Sequence, residues 1–321
     1  MNICIIGLGS MGKRRLRLLK QLFPNVNPFG VDSDHTKTER TEEEWGIRCY
    51  LSLNDIDVNM DCAFICTSPQ SHAGIIQECL EKGMHVFSEI NLINDRYDEN
   101  MRLAKQKNKV LFLSSTPLYK EEMQIIGGRV KQSENPCAYQ YHVGQYLPDW
   151  HPWDKLEDFF VSSKNTNGCR ELFAIELPWI QHTFGKIQKI HAVKSKLLHL
   201  HLDFPDTYFV QLVHENGNIG SLSVDVVSRQ AVRKLEVFNE KLYVKWDGTP
   251  DSLYEKDIVS GEMKQIAAGT YIHEQGYSAS INEYAYAREI EAFLDAIHGK
   301  NPLYSFEEDK GILEIIDKIE S

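Results

Sequence analysis

The stretch Asn2-Ile-Cys-Ile-Ile-Gly-Leu-Gly-Ser-Met-Gly12 decides the fold. A short apolar run, 2–6, stops at a glycine, as a buried parallel strand does. A helical pattern follows from about Ser10 to Leu22, with Leu16, Leu18, Leu19 and Leu22 apolar. Between them, Gly7, Gly9 and Gly12 form a G-x-G-x-x-G array. In a strand–turn–helix context the first glycine makes the tight turn. The second lets a pyrophosphate approach the backbone, and the third lets helix and strand pack closely. The free amides around Ser10 and Met11, at the helix start, then face the anion. Asp32 closes the next strand, 27–32, and lies 20 residues past Gly12. A carboxylate there accepts hydrogen bonds from an adenosine ribose and repels a 2′-phosphate. NAD is therefore expected, with NADP kept open by Lys37 and Arg40 nearby. Lys13, Arg14, Arg15, Arg17 and Lys20 are expected to form mostly a solvated helix face, with one arginine available to the cofactor phosphates.

Outward from this unit the alternation continues. Strands are expected at 61–67, 84–89 and 109–115, and helices at 72–83 and 95–107. That alternation means a parallel α/β sheet. After about residue 118 the rhythm changes. A strand at 137–145 and a helix near 168–184 precede clustered strands at 188–200, 207–214, 218–227, 231–238 and 241–247. Helices at 281–299 and 307–319 close the chain. The fold class is α/β: an N-terminal Rossmann domain (1–118) and a C-terminal α+β domain (119–321) with a large, mainly antiparallel open sheet.

The 321 residues are 42% hydrophobic and 25% charged, with a formal net charge of −11. That balance argues against nucleic acid or anionic membrane as the main partner. No apolar run reaches the length of a membrane span, and no signal peptide is expected. Seven scattered cysteines, with no C-x-x-C pair, fit a reduced, cytoplasmic chain. No metal site is expected.

Three segments carry a resemblance: 5–12 (IIGLGSMG), 61–89 (DCAFICTSPQSHAGIIQECLEKGMHVFSE) and 288–309 (REIEAFLDAIHGKNPLYSFEED). With them the chain resembles the Gfo/Idh/MocA family, the glucose–fructose oxidoreductase and inositol dehydrogenase group. The resemblance implies a Thr-x-Pro-x-x-x-His turn at Thr67, Pro69 and His72. It implies cofactor contacts from Thr67, Ser68, Pro69, His72, Glu89 and Ile90. It also implies a sugar or polyol substrate between the domains, and a homodimer or homotetramer formed through the open sheet. The chain departs from the pattern at two places. The family's Glu-Lys-Pro becomes Glu89-Ile90-Asn91, so the lysine is gone. Its Asp-x-x-x-His helix becomes a segment with Glu171 near the acid and Ile175 near the histidine. His182 lies roughly 16 Å farther along a straight helix. Pro178 is expected to kink this helix and to present Glu171, Arg170 or Glu176 to a cleft.

The loop Tyr146-Leu-Pro-Asp-Trp-His-Pro-Trp153 suits the faces of sugar rings or a base. Tyr146, Trp150, Trp153 and Arg170 are the expected substrate contacts. For proton transfer the candidates are His142, His151, His182, Glu89 and Glu171. His151 or Glu171 is favoured for the proton, and Glu89 for the nicotinamide side. The leading expectation is an NAD-dependent oxidoreductase acting on a ring hydroxyl of a sugar or sugar nucleotide, with bacterial surface-glycan biosynthesis as its setting by analogy. A non-catalytic NAD-bound sensor, or an NAD-recycling elimination or glycoside-cleaving enzyme, is the alternative.

Overall fold

The structure, a computed structural model, describes residues 1–150, 159–200, 202–266, 269, 272 and 281–321. The chain divides into two compact units, Met1–Ser115 with Tyr286–Lys310, and Thr116–Ala285 with Gly311–Ser321.

In the first unit, β1 (Asn2–Ile6), β2 (Asn27–Val31), β3 (Cys49–Tyr50), β4 (Cys62–Ile65), β5 (His85–Ser88) and β6 (Leu111–Leu113) form one sheet in the order β3-β2-β1-β4-β5-β6. Every pairing is parallel. Helices α1 (Ser10–Leu22), α2 (His35–Trp45), α3 (Pro69–Glu81) and α4 (Tyr97–Lys107) connect successive strands. This is the doubly wound dinucleotide order, and its switch point lies between β1 and β4. The core is an aromatic ladder across adjacent strands. Phe64 stacks on Phe87 and Phe87 on Phe112, at centroid distances of 4.7 and 5.2 Å. Phe293, late in the chain, meets all three rings nearly edge-on.

The helix α2 has no counterpart among the expected elements. Only Thr38 and Thr41 are buried on it, so it carries no apolar stripe to read. Its ends hold it instead: the Asp34 side chain accepts from Thr36 N–H, and Gly46 turns left-handed.

In the second unit, α5 (Glu121–Gln132) and α6 (Gly168–Phe184) accompany an eight-stranded sheet. Its strands are β7 (Ala138–Gly144), β8 (Ile187–Ser195), β9 (Thr207–His214), β10 (Ile219–Asp225), β11 (Val232–Asn239), β12 (Leu242–Trp246), β13 (Tyr254–Lys256) and β14 (Met263–Gln265). The order is β14-β13-β12-β11-β7-β10-β9-β8. All neighbours are antiparallel except β7 and β10, which run parallel. Tyr139, Tyr141 and Val143 on β7 are buried, while Gln140 and His142 alternate to the other face. The buried face takes α6, with Tyr139 stacked on Phe184 at 4.0 Å and Tyr141 edge-on to Trp179 at 5.3 Å. The strand expected at 188–200 stops at Ser195. Among the described residues no helix is long and apolar enough to cross a membrane.

Candidate active site

The switch point of the first unit is built by its glycines. Gly7 has φ +90°, and a Cβ there would sit 2.9 Å from the backbone of Cys66 at the end of β4. A Cβ on Gly12 would fall 1.9 Å from the Gly7 carbonyl oxygen. Gly9 differs from both. Its backbone is extended, at φ −77°, and a Cβ would meet nothing within 4 Å. The fold needs no glycine at position 9; a ligand lying against the backbone does. No side chain caps α1 and no acid lies in its first turn. Lys13 N–H is the first amide taken up inside the helix, by the Gly9 carbonyl at 3.0 Å. The amides of Ser10, Met11 and Gly12 thus form the positive end of an uncapped helix.

Asp32 is aimed at this turn. One carboxylate oxygen accepts from Leu8 N–H at 2.8 Å and the other from Asp34 N–H at 3.0 Å. Lys37 stands 3.9 Å away, at the outer limit of an ion pair, and Arg40 is exposed. The carboxylate keeps lone pairs beyond these bonds for ribose hydroxyls. Asp32→Ala should lower NAD affinity about tenfold or more, the worth of hydrogen bonds to a charged group. A titration with unchanged Kd would remove the ribose assignment.

The exits of β4 and β5 are locked together. Thr67 leads into α3, with Ser68 before it and Pro69 as its first residue. His72 is buried, and burial pushes its pKa down, so the ring is neutral. Its Nε2 donates to the Thr67 carbonyl at 3.0 Å. Its Nδ1 lies 2.7 Å from the Asn91 side-chain oxygen. Asn91, where the family has proline, is thus a partner for His72. Glu89 is buried and takes Arg15 Nε at 2.6 Å; the Arg15 Nη2 reaches Glu289 at 2.6 Å. Arg15 is fully buried and Arg14 nearly so, which corrects the expected solvated face. Burial of Arg15 became visible only with its two acids. Between the pinned residues 89 and 91, Ile90 is half-exposed. The first unit therefore brings together Gly7, Gly9, Ser10, Met11, Gly12 and Asp32 at one turn. It places Thr67, Ser68, Pro69, His72, Glu89 and Ile90 at the neighbouring strand exits.

In the second unit the expected residues part company. Arg170 is buried, and it pairs with Asp317 at 2.8 Å and Glu320 at 2.5 Å. Tyr146 lies under the Arg229 guanidinium, 3.9 Å from the ring centroid. The Trp150 ring lies beside Gly168 at the start of α6. Its indole N–H donates to the Gln145 carbonyl at 3.3 Å. His151 and Trp153 lie outside the described residues. His142 pairs with Asp225 at 2.7 Å, and His182 is exposed on the last turn of α6. Glu171 is half-buried. Its Oε2 is closed off from solvent and has no hydrogen-bond partner among the described residues. Burial raises its pKa to about 7, which suits a group that exchanges a proton near neutrality. Glu176 is saturated by Tyr141 OH at 2.8 Å, Trp179 Nε1 at 2.6 Å and Arg233 Nε at 3.0 Å. Among the described residues no cluster of histidines, cysteines and acids could hold a metal.

Residues 1–115 match the model of the oxidoreductase family with an NAD-binding Rossmann fold, GFO_IDH_MocA. The UDP-N-acetylglucosamine 3-dehydrogenase of Acidithiobacillus ferrooxidans is 19% identical over 95% of this chain and 91% of its own. An NAD binding oxidoreductase from Klebsiella pneumoniae superposes with a TM-score of 0.82 at 16% identity, over 100% of this chain and 96% of its own. The WlbA dehydrogenase of Chromobacterium violaceum, solved with NADH and UDP-GlcNAcA, superposes with a TM-score of 0.77 at 15% identity, over 99% and 92%. These likenesses extend the fold to both units.

Proposed function

We propose that this chain, whose residues 1–115 match the model of the GFO_IDH_MocA oxidoreductase family with an NAD-binding Rossmann fold, is an NAD-dependent dehydrogenase acting on a ring hydroxyl of a sugar nucleotide. The observation that carries the cofactor half is Gly9, a glycine the fold does not require, beside an uncapped helix end and an oriented Asp32. The substrate half is supported by the full-length likeness to a UDP-N-acetylglucosamine 3-dehydrogenase and to a dehydrogenase solved with UDP-GlcNAcA.

NAD, when bound, supplies the hydride acceptor. The chain's own residues do the rest. Ser10, Met11 and Gly12 present amides to the pyrophosphate, and Asp32 accepts from the adenosine ribose. Ile90 presents an apolar surface where relatives place a lysine, so the hydroxyl proton needs another acceptor. Glu171 fills that role: it is ionised above about pH 7 and carries no competing cation among the described residues.

The test is NADH formation at 340 nm from NAD and UDP-N-acetylglucosamine, with the sugar product read by mass spectrometry. The rate should rise with pH through about 7, because the base must be deprotonated. Glu171→Gln should remove that limb and lower kcat by roughly 100-fold or more. A Gln variant with the parent's pH profile would take the role away from Glu171. The loss of the lysine also favours a second reading, a protein that holds NAD and a ligand without net redox change. Bound cofactor with neither NADH nor a new product would decide for it.

A further inference from the structure

All strands of the first sheet run the same way, so their carboxyl ends lie together and their amino ends lie together opposite. The glycine turn and the exits at Thr67 and Glu89 occupy the carboxyl end. The amino end carries a separate cavity of about 290 Å³, and its wall includes Met1, Met60, Asp61, His85, Lys109 and Ile297. Met1 precedes β1, Met60 and Asp61 lead into β4, His85 opens β5, and Lys109 lies two residues before β6. Ile297 ends α7 (Glu283–Ile297), one turn past Phe293 and on the same side of that helix. The whole lining belongs to the first unit. The five residues of β1 separate this cavity from the glycine turn by roughly 15 Å.

Three polar groups are held in the wall. The Asp61 carbonyl accepts from His85 N–H at 3.0 Å, which ties the entries of β4 and β5 together. His85 Nδ1 accepts from Val110 N–H at 3.0 Å, so the neutral ring carries its proton on Nε2. Burial, and then the charge of Lys109, lowers the His85 pKa against the opposing pull of Asp61. One Asp61 carboxylate oxygen accepts from Asn2 N–H at 2.7 Å. Lys109 is half-buried, and its backbone N–H is fixed by the Ala104 carbonyl at 2.9 Å. Lys109 and Asp61 line one cavity and both act on His85, yet they do not meet as an ion pair. Among the described residues neither the Lys109 ammonium nor the His85 Nε2–H has a partner.

The charges select the ligand. A simple anion at Lys109 is opposed by Asp61, and a simple cation at Asp61 is opposed by Lys109. A zwitterion satisfies both. The volume admits roughly ten non-hydrogen atoms or a few more, at about 30 Å³ for a water-sized group. That fits a free amino acid and is too small for a dinucleotide or a sugar nucleotide. Met1, Met60 and Ile297 supply apolar surface for a side chain.

We propose that this cavity is a second ligand site, which binds a free α-amino acid with its carboxylate toward Lys109 and His85 Nε2–H and its ammonium toward Asp61. The site stands apart from the dinucleotide turn and does not depend on the sugar-nucleotide reading above.

The test is calorimetric titration of the full-length protein, saturated with NAD, with each of the common L-amino acids in turn. At least one should bind. Its methyl ester lacks the carboxylate charge and its N-acetyl form lacks the ammonium. Each derivative should bind about tenfold or more weakly, the worth of one charged hydrogen bond. The amino acid itself should lose as much on Lys109→Met and on Asp61→Asn. Lys241→Met, at an exposed lysine of the second unit paired with Glu134, should bind as the parent does. Both cavity variants should take up NAD like the parent, because the glycine turn lies at the other end of the sheet. Circular dichroism on each variant separates lost binding from lost fold. Three outcomes overturn the proposal. No amino acid binds; or the ester or the N-acetyl form binds as tightly as the amino acid, which makes the site one for a single charge; or either cavity variant binds as tightly as the parent, which takes that charge out of the site.

Discussion

Replacing Gly9 with alanine should leave the protein folded with an unchanged melting temperature, yet weaken NAD binding by about 100-fold or more, some 3 kcal/mol. The first half follows from the backbone. Gly9 has ordinary extended angles, and its Cβ would enter open space, so alanine strains nothing and loses a little unfolded-state entropy. The second half follows from where that space lies. It adjoins the free amides of an uncapped helix, where a pyrophosphate must approach the main chain within hydrogen-bond distance. A methyl group there keeps the anion away from every one of those donors at once. Gly12→Ala is the contrasting variant. Its methyl carbon would lie 1.9 Å from the Gly7 carbonyl oxygen, which is backbone and cannot swing aside. That change should lower thermal stability as well as binding, because β1 and α1 can no longer pack. Thermal melts with and without NAD on the two variants read the difference. An alanine at position 9 that binds NAD like the parent would mean that the turn serves the fold alone.

What the sequence disclosed and what it hid divide along the length of the interactions. The glycine array, Asp32 and the turn from Thr67 to His72 are local patterns: each residue's role is set by neighbours a few positions away along one strand–turn–helix unit. The parallel order of the first sheet followed from the same rhythm. The mainly antiparallel second sheet followed from clustered alternating strands, although its parallel β7–β10 pair has no local signature. Arg15 shows the limit. On its own helix it belongs to a run of basic residues that reads as solvent-facing, and its partners lie 74 and 274 residues away. Asn91 could have been found. A side-chain amide replacing a proline beside a buried histidine signals a hydrogen bond gained, not only a turn lost. Helix α2 escaped because its stability resides in caps and not in an apolar stripe.

The largest loss of stability should come from Arg15→Met. The guanidinium lies between Glu89 and Glu289 at 2.6 Å from each, over the face of Phe87 at 4.6 Å, with no exposed surface. Glu289 also accepts from Ser114 Oγ at 3.0 Å and Ser115 N–H at 2.7 Å. Methionine keeps the bulk and removes the charge, leaving two carboxylates facing each other out of water. Breaking such a buried arrangement from one side costs about 3–5 kcal/mol, readable as a fall in the urea midpoint at constant slope. The pH dependence has a definite sign. Burial already raises the Glu289 pKa in the parent against the opposing pull of Arg15, and without Arg15 that rise grows. A carboxylate whose folded pKa lies above its unfolded value contributes stability that is present below the unfolded pKa and lost as pH rises through the folded one. The variant should therefore be least handicapped near pH 4 to 5 and most handicapped above neutrality. Adding Glu289→Gln to Arg15→Met should recover much of the loss, because it removes one of the two stranded charges. The consequence reaches the cofactor turn, since Arg15 belongs to α1 and Glu89 immediately precedes Ile90. A variant that stays folded should hold the β5 exit less firmly, and NAD affinity should fall with it. If Arg15→Met costs under about 1 kcal/mol at pH 8, the level of an exposed ion pair, the buried triad does not hold these three elements together.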